Sequence, residues 1–157
     1  MRRVFVLLVV LGMLFAMPLA AANAQDERFE VDIHASASLV GQNADGCDVS
    51  AGGFYVVFDG AIVETGQVRL TSCANEDASR VHYAAKYRDA STGNIVNTTG
   101  KGVLVAADLD AGVFTYALTE RIGSSSDGTA GHAEGSAVVT VTDTGFTVDW
   151  WNHWILN

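Results

Sequence analysis

The sequence predicts an all-β protein: a single antiparallel domain of about eight strands, arranged as a β-sandwich or flattened β-barrel, behind a cleaved signal peptide. Three observations carry that expectation. Apolar and polar residues alternate in segment after segment from Phe29 onward, the period of a strand with one face on a core. The sole proline is Pro18, so no later residue lacks the amide that a sheet ladder needs. Turn sequences such as Asp59-Gly60 separate the alternating runs.

The leader comes first. Arg2 and Arg3 precede an apolar run, Val4 to Ala16, and Ala22-Asn23-Ala24 closes it with small residues. This is the three-part pattern of an export signal, so 1–24 reads as a secretory signal peptide and 25–157 as a single all-β domain. The apolar run falls short of the roughly 20 residues that a spanning helix needs, and no membrane span is expected in the mature protein. A mature domain of this length can bury its own core. Its expected location is secreted or periplasmic, where Cys47 and Cys73, the only two cysteines, are most simply one disulfide.

The first strand, 29–39, is the cleanest. Phe29, Val31, Ile33, Ala35, Ala37 and Leu39 share one face, while Glu30, Asp32, His34, Ser36 and Ser38 share the other. Further strands are expected at 53–58, 61–72, 80–88, 95–109 (with a break possible at Gly100–Gly102), 113–121, 132–142 and 145–156. Asp59-Gly60 suits a two-residue hairpin because Gly accepts positive φ. Asp110-Ala111-Gly112 fits a three-residue loop, and Asp143-Thr144-Gly145 turns the chain into its last strand. Longer loops are expected at Gly41–Gly52 and Gly123–Gly131, which would permit a crossing between sheets.

Hairpin arithmetic predicts contacts. A two-residue turn at Asp59-Gly60 places Cys47 opposite Ser72, so one bulge in Ala51–Gly53 would align it with Cys73. A turn at Asp143-Thr144 pairs Ala137 with Trp150 and Ala133 with Trp154 on the core face. On the other face it pairs Ser136 with Trp151, Val138 with Asp149, and Glu134 with His153.

Charge narrows the partners. With Arg2 and Arg3 in the leader, seven basic residues remain against 18 acidic ones, a net of −11. A phosphate backbone would be repelled, so nucleic acid is not an expected partner. The acids are scattered, which suits solubility.

The candidate ligand-binding residues are Trp151, His153 and Glu134. An exposed Trp can stack on a sugar ring or anchor a partner, and Tyr55, Tyr83, Tyr87 and Tyr116 are candidates to extend that platform. His153 with Glu134 and Asp149 could serve acid–base chemistry, yet no nucleophile elbow accompanies them; a solvated cross-strand pair is the better explanation. His132-Ala133-Glu134 lacks the cysteine partners of a zinc deaminase. Asp108-Leu109-Asp110-Ala111-Gly112 fails as a calcium loop, where Gly112 replaces a ligand. No cofactor, catalytic residue or metal ligand is therefore assigned.

The expected function is that of a secreted non-catalytic domain binding a carbohydrate or small-molecule ligand. A structural or adhesive cell-envelope protein is the second reading and a small secreted hydrolase the third. Eight alternating strands could also build a small transmembrane barrel. The expected long loops at opposite ends, the few aromatics and the disulfide argue against it. The sequence leaves the oligomeric state open.

Overall fold

The computed structural model describes residues 27–156; the expected signal peptide, Met1–Ala24, lies outside them. Eight strands run in chain order: β1 (Glu27–Gln42), β2 (Asp48–Phe58), β3 (Ala61–Ala74), β4 (Arg80–Asp89), β5 (Ile95–Asp108), β6 (Val113–Ser125), β7 (Gly131–Thr142) and β8 (Gly145–Leu156). Each pairs antiparallel with the next, and β8 returns to pair with β1, closing a barrel. A barrel, rather than a sandwich, is therefore the architecture, and no connection crosses between sheets.

The barrel interior takes one residue in two from each strand. Phe54, Tyr83, Tyr87, Trp150 and Trp154 supply the bulk, packed among Val31, Ile33, Val68, Leu70 and Leu118. Phe54 and Tyr87 meet edge to face with ring centroids 5.2 Å apart, a favoured aromatic geometry. Charged and polar side chains point outward along the walls. That is the reverse of a lipid-facing barrel, whose outer surface is an apolar band.

The turns explain the register. Asp59 and Gly60 both take positive φ, 49° and 75°, the combination that a type I′ hairpin turn requires. Phe58 pairs with Ala61 as the two-residue turn demands, but the register shifts between Val56 and Val57. The expected bulge thus exists, beside the turn instead of at Ala51–Gly53. Its consequence is the same: Asp48 faces Ser72, and Cys47 bonds Cys73 across 26 residues. The last hairpin follows the expected pairing throughout, with Ala137 opposite Trp150, Ala133 opposite Trp154 and Glu134 opposite His153.

Both expected long loops shrink. β2 begins at Asp48 and β6 runs to Ser125, because flanking residues continue the ladder once a neighbour is present. β5 is unbroken through Gly100 and Gly102. Two ends result. One holds the 59–60, 90–94 and 126–130 turns. The other holds the 43–47, 75–79, 109–112 and 143–144 turns, with the disulfide tying the first of these to β3.

Candidate functional site

Trp151, His153 and Glu134 all lie on the outer wall and are exposed. Their grouping differs from the expected one. His153 Nε2 meets Glu30 Oε1 of β1 at 3.3 Å, although Glu134 is its register partner in β7. Asp149 bonds His34 Nδ1, and Tyr55 stacks on His34 with centroids 4.6 Å apart. Closure decides this: β8 lies between β7 and β1, and each of these side chains takes its partner across the β1 seam. Such solvated pairs contribute a few tenths of a kcal/mol. The expected His153–Glu134–Asp149 cluster is thereby broken up: His153 and Asp149 enter separate contacts with β1, and Glu134 enters neither.

The aromatic platform is thinner than its residue count implied. Tyr83, Tyr87 and Tyr116 are buried inside the barrel, leaving Tyr55 at 40 % and Trp151 at 44 % exposure on the wall. Trp151 has Asp32 and Ser136 as register neighbours, whereas Tyr55 faces His34 on another row.

The mouth ringed by the 43–47, 75–79, 109–112 and 143–144 turns opens into a cavity of about 330 Å³. Leu70, Leu118, Ala137, Val139, Val148 and Trp150 form its apolar lining, and Ser50, Asp48 and Ser72 add polar atoms on one side. Around it, Leu39, Val40, Val105, Leu109 and Val141 are exposed, Leu109 by 79 %. Water therefore meets an apolar rim leading into an apolar hollow. The rim is braced by the Cys47–Cys73 bond and by the Tyr116 hydroxyl, which donates to the Ala78 carbonyl at 3.2 Å. Sequence alternation marks these side chains as inward. Whether eight strands fill their barrel or leave room depends on the side chains that meet across it, which no local pattern reveals.

Below Tyr83 lies a polar group in the core. The Asn152 amide donates to Glu120 Oε2 at 3.3 Å. Glu120 Oε1, the Tyr83 and Thr98 hydroxyls and Asn152 Oδ1 are buried without hydrogen-bond partners among the described residues. Burial pushes the Glu120 carboxyl up to about 7, against weaker lowering by Thr98, Tyr83 and Asn152. Glu64, near the opposite end, is raised to about 7 by burial and then by the Asp89 charge. Asp89 itself is held low: burial pushes it up, but Ser91 and Thr92 donate to it and prevail. Among the described residues no three His, Cys, Asp or Glu side chains converge as metal ligands.

The fold and this mouth define a small antiparallel meander barrel with an apolar, open-ended cavity. Comparison with known protein families, curated proteins and solved structures finds no match.

Proposed function

We propose that this chain is an exported, non-catalytic binding protein that takes up a compact, largely apolar small molecule through the braced mouth of its barrel. The observation that carries this reading is the cavity of about 330 Å³, with its apolar lining and exposed apolar rim. The volume stands at the lower end of the roughly 300–1,000 Å³ typical of small-molecule sites. Ser50 and Ser72 would orient one polar group of the ligand, and Trp150 would meet its apolar body. The disulfide is consistent with an extracellular or periplasmic location, and charged walls suit a barrel surrounded by water. Trp151 without an aromatic companion on its row gives a sugar-stacking role less support than the cavity gives a small ligand. Adhesion by strand addition would use a free sheet edge, and the eight described strands close into a ring.

The test is titration with short alkanoic acids, substituted benzenes and a naphthalene-sulfonate dye, read by Trp fluorescence. Saturable binding by wild type, lost in Val139→Trp with the far-ultraviolet circular dichroism intact, supports the reading. Absence of binding across the panel, or equal binding by the filled variant, overturns it.

A further inference from the structure

The whole-chain charge conceals a local one. Six of the seven cationic side chains beyond the leader, Arg69, Arg80, Lys86, Arg88, Lys101 and Arg121, are exposed on the consecutive strands β3 to β6. The register brings them together: Arg69 pairs with Lys86, His82 with Lys101, and Thr99 with Arg121. The acids within these strands, Glu64, Asp89 and Glu120, are buried in the interior, and Asp108 sits at the β5 turn. Among the described residues none of the six cations has an ion-pair partner. Among the described residues the other acids lie in or beside the turns, or on β7, β8 and β1.

A groove of about 470 Å³ runs across the middle of this wall. His82, Thr99, Lys101, Thr119 and Arg121 flank it, with Gly100 between them and the buried Tyr83 and Glu120 completing the lining. Charges farther away than a Debye length, about 8 Å at physiological ionic strength, are largely screened. A ligand lying here therefore meets the local positive potential more than the net negative charge.

We propose that the β3–β6 wall binds a linear acidic polysaccharide, one bearing carboxylate or sulfate groups, independently of the cavity. The neighbouring side chains choose among polyanions. Gln67, Thr71, Asn97, Thr99 and Thr119 offer amides and hydroxyls suited to sugar hydroxyl groups. The aromatic residues of β4, Tyr83 and Tyr87, are buried on the inner face, so β4 presents no stacking platform for the bases of single-stranded nucleic acid. None of the exposed large hydrophobic side chains lines the groove, so it lacks the apolar anchors that accompany cations on a membrane-binding surface.

The experiment uses the mature chain, with dextran sulfate and polygalacturonate as immobilised probes at rising salt. Retention at low salt, with affinity falling steeply as salt rises, is the expected result, since such contacts release counterions. Lys101→Glu/Arg121→Glu should weaken binding by about tenfold or more, and the neutral pair Lys101→Gln/Arg121→Gln should fall in between. Asp32→Asn, on β1 away from the wall, should leave it unchanged. Thermal melts confirm that the variants are folded. Failure to retain wild type, or equal retention of the charge-reversed variant, overturns the proposal. So does tighter binding to single-stranded DNA or to phosphatidylglycerol vesicles, or a salt-sensitive dimer that Lys101→Glu/Arg121→Glu dissolves.

Discussion

Asn152 Nδ2 stands 3.3 Å from Glu120 Oε2 inside the barrel, a neutral amide facing a carboxyl held at about 7 by burial. The unfolded value is 4.5. A carboxyl raised in this way favours the folded protein when protonated. Its contribution is complete below about 4.5 and is lost as pH climbs through 7. Glu64 acts in the same direction. The barrel should therefore melt at a higher temperature at pH 5 than at pH 8. Asp89, held below its ordinary 3.8, stays ionised across that window. Glu120→Gln should flatten the profile by on the order of 3 kcal/mol. Equal melting temperatures at the two pH values would contradict this account.

Trp150 and Trp151 are adjacent in sequence and opposite in environment, 4 % and 44 % exposed. Trp150→Ala should cost about 3–5 kcal/mol through lost burial and the void left behind. Trp151→Ala should remain within about 0.5 kcal/mol of wild type. Urea denaturation of both variants measures the contrast, and similar midpoints would refute the facing.

Replacing Cys47 and Cys73 by Ala should lower stability by about 3 kcal/mol, as expected for releasing a loop of this length in the unfolded chain. The same change frees the 43–47 turn at the mouth. Ligand uptake should then weaken more than the folded fraction alone explains. Denaturation and dye titration of one sample separate the two effects.

A Cβ added at Gly100 would lie 2.2 Å from Cζ of Tyr83. The tyrosine ring is buried and its hydroxyl already lacks a partner, so it must shift within a packed interior. Gly100→Ala should cost about 1–3 kcal/mol, the range for overpacking. An unchanged melting temperature would show that the ring has room to move.

Local grammar made some of this structure legible and left the rest hidden. The final hairpin could be read residue by residue. Its turn is two residues long, and Ala133 and Ala137 face the two large rings. The disulfide followed from its neighbouring hairpin despite a misplaced bulge. The β1–β8 seam has no such local signal: it joins residues such as His34 and Asp149, 115 positions apart. For that reason the local pattern gives Glu134 as the register partner of His153 but not the Glu30 carboxylate that the side chain meets on β1. The cavity was hidden likewise, since an alternating pattern specifies which side chains point inward but not the space between them. Net charge misled most about the β3–β6 wall, because a sum over the chain carries no information about which face holds each charge.

Closure also governs how the molecule can come apart. Every strand is bonded along both flanks, so none can peel away without severing two ladders together. Fraying is confined to the turns, and escape from the native state must involve most of the ring at once. Amide protons at the midpoints of all eight strands should accordingly exchange with solvent at closely similar, slow rates, β1 and β8 included.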